Sequence, residues 1–343
     1  MPKEKRTLLK DVASAVGVSP TLVSIVLNGK AKQYRISENM AKRVLATALE
    51  MNYSPNLTAQ NLRGGKSQLI GVIVTDISNP FYSTISRVIE DRASELNYTV
   101  LFSSSDENLD NTKRLINVLV NKGVDGLVVV PCDGSEEAVK DLYDDNIPLV
   151  LVDRHFPNID ISYSCLNNYK ATELATQHLI EQGYQNISVV SYKTNMNHII
   201  KRVEGYENTM IKAGLKDHIN LMQINISNQK LEMYEALDYL VRQKNSDAII
   251  CLTNMLSINA IYCLNEMDIT IPEDLAFVGF NRSDVFNLLH SPISYIKQPI
   301  EQIANDAINI LMEKITHGEK AINSMSIAEP ELVIQNSTPK KSS

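Results

Sequence analysis

Pro20, Thr21, Ser24 and Ile25 are the residues whose types and spacing best suit chemistry on a partner, because hydroxyls and small apolar groups gather on the outer face and N-terminal end of a short helix. A helix presented in this way meets base edges and phosphates in the major groove of DNA. The elements that position them are spelled by residues 7–29, TLLKDVASAVGVSPTLVSIVLNG. Leu9, Val12, Ala13 and Val16 recur at helical spacing and Gly17 supplies a turn. Ser19 then suits the cap of a second helix from Pro20 to about Leu27, with Val23, Val26 and Leu27 inward. The pattern is a helix-turn-helix, and an ordinary helical hairpin is the competing reading.

Charge separates the two. Residues 1–66 contain 11 Lys and Arg against 4 Asp and Glu, whereas the whole chain has 33 against 40 and a net charge of −7. The remainder therefore holds 22 basic and 36 acidic residues, so a basic head precedes an acidic body. Positive charge concentrated on a helix-turn-helix is the footprint of a phosphate-binding module. Lys3, Lys5, Arg6, Lys30, Lys32 and Arg35 flank the two helices.

A third helix follows, capped by Ser37 and carrying Met40, Val44, Leu45, Ala48 and Leu49 at helical intervals as core. Next comes YSPNLTAQNLRGGKS, in which Ser54 suits an N-cap, Pro55 the first helical position, and Gly64 and Gly65 a stop after about two turns. So short a helix is marginal alone in water and forms when DNA holds it.

Beyond residue 66 apolar strand-like runs such as LIGVIVTD, DGLVVVP, PLVLVD, NISVVSY, DAIICLTN and LAFVGF alternate with helical stretches. This rhythm means parallel sheets covered by helices, and the length is enough for two such lobes. Ligands in such folds bind at the carboxyl ends of strands, and two facing lobes enclose a cleft there. Asp76, Asp106 and Asp153 fall near strand ends, where a carboxylate can bind hydroxyls or act as an acid.

Catalysis finds little support. No GxGxxG follows a strand, and the GGKS at Gly64–Ser67 has Gln60 where a phosphate loop needs glycine. Cys132, Cys165, Cys251 and Cys263 form no CxxC pair, and none of the six His makes an HExxH motif, so no catalytic residue, metal site or cofactor is assigned. The N-terminus has charge but no apolar run of secretory length, and no stretch approaches the roughly 20 apolar residues of a membrane span. A cytoplasmic protein is expected. An exported solute-binding protein without DNA function is the reading from a different class, and it has no use for the head.

The segments KDVA, GVSPTLVSIVLNG, NYSPNLTAQNLR and IGVIVTDISNPFY together resemble the lactose-repressor (LacI/GalR) family of bacterial transcription regulators, over nearly the whole chain. The resemblance implies a DNA-binding head at 1–53, a hinge helix and linker at 54–66, and an effector-binding and dimerisation core at 67–343 with the fold of periplasmic sugar-binding proteins. It places the N-lobe at about 67–164 plus 294–323 and the C-lobe at about 165–293 plus 324–343. DNA contacts are expected from Thr7, Ser19, Pro20, Thr21, Ser24, Ile25, Asn28, Lys30 and Arg35 in the head and from Asn56, Ala59 and Leu62 in the hinge. The leucine matching Leu62 wedges between bases in the family and kinks the duplex. Ile25 departs from the arginine usual at its position. Arginine pairs bidentately with guanine whereas isoleucine offers only apolar contact, so the operator is expected to shift toward A·T there.

For the effector, the resemblance points to Asp76, Tyr82, Asp153, Arg154, Met196, His198 and Arg202. Two usual acidic positions are the amides Asn254 and Asn281. The effector is expected to be a sugar, sugar acid or sugar phosphate, with Arg202 and Arg282 supplying positive charge that favours one carrying a carboxylate or phosphate. Two heads reading two half-sites imply a homodimer on a roughly palindromic operator, joined through helices at 81–96 and 111–121. The polar end QNSTPKKSS lacks the leucine heptads of family tetramers. Effector closure would change hinge-helix spacing and switch the affinity of what is expected to be a repressor, the alternative being a corepressed or activating regulator of the same family.

Overall fold

In the computed structural model, the described residues are 7–53 and 66–341. Two units separate, Met1–Ser67 and Gln68–Ser343. In the first, α1 (Leu9–Val16) and α2 (Pro20–Leu27) are bent by 105°, as a helix-turn-helix requires. Gly17 makes that turn at φ 78°, where a side chain would be strained. The Ser19 hydroxyl accepts the Leu22 amide at 3.2 Å, and Ser37 does the same for Met40 at the start of α3 (Glu38–Glu50). Val12, Ala13, Val16, Val23, Val26, Val44 and Ala48 form the core of the head. Leu45 and Leu49 do not join it; they are 50% and 79% exposed. Two short helices cover only one side of α3, so the stripe through Val44 and Ala48 is buried while the next residue round the helix faces water. The expected hinge helix falls at 54–65, outside the described residues.

The second unit holds two six-stranded sheets. One is built from β1 (Leu69–Val74), β2 (Thr99–Ser104), β3 (Gly126–Val129), β4 (Leu149–Val152), β5 (Tyr163–Leu166) and β11 (Met325–Ala328), in the spatial order β11-β5-β4-β3-β1-β2 and wholly parallel. The other comprises β6 (Ile187–Tyr192), β7 (Asn220–Ile224), β8 (Ala248–Cys251), β9 (Ala276–Phe280), β10 (Ser294–Lys297) and β12 (Glu331–Val333). Its order is β12-β10-β9-β8-β6-β7, parallel except for β12 against β10. Continuously buried strands such as β3, β4, β8 and β9 read as unbroken apolar runs because helices cover both faces.

The chain crosses between the sheets three times: after Leu166, after Lys297, and between Ala328 and Glu331. Expected lobe boundaries at 164, 294 and 323 are therefore displaced. Ile296 pairs with Phe280, so 294–297 belongs to the C-lobe, and Ile327 pairs with Cys165, so 325–328 belongs to the N-lobe. Strand partnership decides membership, and no local composition marks it.

The helices Asn168–Glu181 and Asn197–Lys212 pack closely because Gly205 has no side chain. A Cβ there would lie 2.3 Å from the Tyr169 carbonyl and 2.4 Å from the Thr172 hydroxyl. Gly205→Ala is expected to destabilise the second unit by about 1–3 kcal/mol through overpacking, measured by denaturant unfolding.

Candidate functional site

On the head, Pro20 and Thr21 are exposed at the N-terminal end of the second helix, with Ser24 and Ile25 half-buried one turn on. That end presents backbone N–H groups and a positive dipole to an anion such as phosphate. Ser19 spends its hydroxyl oxygen on the cap, and the Asn28 amide donates to the Ser24 carbonyl at 2.8 Å. Lys30 and Arg35 are exposed, and Arg35 sits at φ 56° in the loop before the third helix. Thr7 is turned inward: its hydroxyl donates to the Met51 carbonyl at 2.8 Å, tying the start of the head to the end of α3. Asn56, Ala59 and Leu62 lie outside the described residues.

Between the two sheets, at the carboxyl ends of their strands, lies a cavity of about 670 Å³. The structure brings Asp76, Tyr82, Asp153, Arg154, Met196, His198, Arg202, Asn254 and Asn281 onto its wall. It adds residues that sequence reasoning missed: Glu107, Asp133, Tyr192, Phe280 and Gln298. All five end a strand or lie within a few residues of a strand end, the signal that had marked Asp76 and Asp153. Gln298 begins a crossover that only strand pairing reveals.

Tyr82, Asp153, Arg154 and Glu107 form one network on the N-lobe wall. Tyr82 donates its phenol proton to Asp153 Oδ2 at 2.9 Å and accepts from Arg154 Nη2 at 3.1 Å. Both terminal nitrogens of Arg154 engage Glu107, at 2.6 and 2.8 Å. Burial works against the Arg154 charge, yet Tyr82, Glu107 and Asp153 hold the guanidinium well protonated. Burial likewise keeps the Tyr82 phenol neutral. Asp153 has φ 68° and Glu107 φ 54°, so left-handed backbone at two strand ends aims both carboxylates inward.

Arg202 organises the C-lobe wall. Its Nε donates to Asn168 Oδ1 at 2.8 Å, Nη1 donates to the Leu252 carbonyl at 2.6 Å, and the guanidinium lies 3.9 Å over the Phe280 ring. Burial lowers its pKa to about 10, with Asp153 opposing, so it stays charged at neutral pH. Around it Asn254 Oδ1, Asn281 Oδ1, Gln298 Oε1 and His198 Nδ1 are buried without a hydrogen-bond partner. Buried polar atoms are nearly always paired, and four on one cavity wall mark places for the groups of a ligand. The wall carries five carboxylates, at positions 76, 106, 107, 133 and 153, against the cations Arg154, Lys193 and Arg202. Arg282 is exposed and off the cavity wall, contrary to expectation. Both terminal nitrogens of Arg154 are engaged by Glu107, so carboxylates outnumber the cations left to face an acidic effector.

Burial first, then Arg154, Arg202 and His155, holds His198 well below the usual imidazole value of 6.5. The unfolded chain therefore takes up this proton before the folded one. Stability tied to neutral His198 is complete above about pH 6.5 and is lost as pH falls below it, by at most about 1.4 kcal/mol per unit. His198→Gln is expected to flatten the fall in unfolding midpoint between about pH 6.5 and about pH 5, compared with the parent in the same buffers.

Comparison with known proteins agrees with this division. Residues 8–56 match the family described as bacterial regulatory proteins, lacI family, and residues 67–336 match periplasmic binding proteins and sugar binding domain of LacI family. The HTH-type transcriptional repressor PurR of Haemophilus influenzae (strain PittEE) is 28% identical over 333 residues, 96% of this chain and 98% of that protein. The fold is shared with the lac repressor dimer bound to operator and the anti-inducer ONPF, at TM-score 0.83, 21% identity, and 98% and 100% coverage of the two chains. It is shared also with the regulator CelR in complex with cellobiose, at TM-score 0.69 and 23% identity, covering 97% and 100%. Among the described residues no single helix is long and apolar enough to cross a membrane. A helix-turn-helix head on a two-lobed sugar-binding core places this chain in the LacI family of bacterial regulatory proteins, whose members are DNA-binding transcription regulators and not enzymes.

Proposed function

We propose that this protein is a cytoplasmic homodimeric repressor whose affinity for a roughly palindromic operator is set by an uncharged, polyhydroxylated effector, a sugar, held between the lobes. The observation that carries the ligand class is the set of unpaired buried oxygens of Asn254, Asn281 and Gln298, with the unpaired Nδ1 of His198, beside Arg202. Hydroxyl groups donate to such acceptors and accept from the guanidinium without bringing a charge into a wall already rich in carboxylates. A cavity of about 670 Å³ is the size of ordinary small-molecule sites. Binding of cellobiose by CelR, on the same fold, is consistent with this reading.

On the DNA side, Pro20, Thr21, Ser24 and Ile25 read bases, Lys30 and Arg35 meet phosphates, and the hinge residues Asn56, Ala59 and Leu62 enter the minor groove. Ile25 reads a thymine methyl. Ile25→Arg is expected to move the preferred base at that position toward guanine in a binding-site selection; an unchanged preference would remove residue 25 from base readout.

The function as a whole is tested by selecting sites from a DNA pool with the full chain, then repeating with residues 67–343. Palindromic sites that the fragment loses, with affinity falling steeply in salt, are the expected result. Neutral monosaccharides and disaccharides, sugar acids and sugar phosphates are then compared by thermal shift and operator release. A neutral sugar is expected to bind, and Arg202→Ala to weaken it about tenfold or more. Release of DNA identifies an inducer and tightening a corepressor. Binding confined to acids or phosphates would overturn the proposed effector class.

A further inference from the structure

We infer that Asp133 and His155 are positioning residues which latch the two lobes together before any effector arrives, by gripping the C-lobe segment Thr194–Asn197. This rests on the proposed effector site for its meaning, since the gripped segment delivers Met196, and His198 directly after it, to the cavity wall.

The grip comprises three contacts of different kinds on four consecutive residues. Asp133 follows β3 of the N-lobe, and its Oδ2 accepts the Thr194 hydroxyl at 3.3 Å and the Asn195 amide at 3.4 Å. Thr194 Oγ1 in turn accepts the Met196 amide at 3.1 Å, which fixes the segment just ahead of the helix Asn197–Lys212. Met196 belongs by chain to the C-lobe, yet it is 4% exposed and packs in the apolar cluster of the N-lobe with Phe156 and Ile161. Asn197 closes the set, with its side-chain amide 3.2 Å from His155 Nε2.

His155 makes a rigid anchor. Its ring stacks on Tyr163 at 4.0 Å and 7°, and its other nitrogen lies 3.8 Å from Cys165 Sγ, both on the N-lobe strand β5. The crossovers join the lobes at the hinge, whereas this segment joins them beside the cavity. Removing an apolar plug and its flanking hydrogen bonds takes away the contacts beside the cavity and leaves the lobes joined at the hinge, about which they can separate. An effector therefore meets a cleft wall that the protein has already assembled.

The lobe separation is read in ligand-free full-length protein from the distance between spin labels on Glu137→Cys and Asn208→Cys, both exposed positions. The four native cysteines are buried, so labelling is selective. The parent is expected to give one short, narrow distance distribution. Asp133→Ala combined with Asn197→Ala, and separately Met196→Ala, should lengthen and broaden it, while Asp133→Asn, which keeps an acceptor oxygen, should restore the parental distance. Variants that melt lower but keep the parental distance would reduce these residues to local packing and overturn the inference, as would a parent already broad without ligand. Because no effector enters the measurement, its outcome is independent of whether the proposed sugar is found.

Discussion

A guanidinium buried at the end of a β-sheet is stable only when its charge is answered by nearby groups, and Arg154 meets that demand through both terminal nitrogens. Glu107 answers it from the end of β2, Asp153 from the end of β4, and Tyr82 from the helix that follows β1. One buried charge thereby ties three separate connections of the N-lobe into a single wall. Each partner is itself constrained: Tyr82 can donate only to Asp153 while it accepts from Arg154, and the two carboxylates sit on left-handed backbone that no strand would adopt unforced. The charges of this wall are largely spent on one another.

The facing wall is built on the opposite principle. Arg202 is locked by Asn168, Leu252 and Phe280, but the amides around it retain unanswered oxygens. A wall of charges paired with one another and a wall of unpaired amide oxygens face each other across the same cavity and divide the labour of recognition. The first supplies shape and a fixed electrostatic background; the second supplies hydrogen bonds that only an occupant can complete. Asn168 and Gln298 lie beside two of the crossovers, so the recognising wall is continuous with the hinge about which the lobes move. Occupancy and lobe angle are consequently coupled through the same few residues, as a switch between DNA affinities requires.

Much of this was legible before any coordinates. Gly17, Ser19 and Pro20 announce a turn, a cap and a helix start through chemistry that acts within a few residues, and the structure places all three as read. The alternation of apolar runs with amphipathic stretches announced parallel sheets, and the strand-end rule brought Asp76 and Asp153 to the cleft. Leu45 and Leu49 show the limit of the same logic. Helical periodicity reports which residues share a face, not how wide a face the neighbouring helices cover. Arg282 shows a second limit, since proximity in sequence to Asn281 says nothing of direction once the backbone turns at φ 61°.

What remained out of reach was every relation between residues distant along the chain. Glu107 beside Arg154, Asp133 beside Asn195 and Met196 inside the other lobe's core follow from the order of strands in each sheet and from three crossovers. Caps, turns and periodicity are settled by interactions among near neighbours, which sequence displays directly. Strand order is settled by which long-range packing buries most apolar surface and pairs most buried polar groups, and that balance exists only in the folded chain.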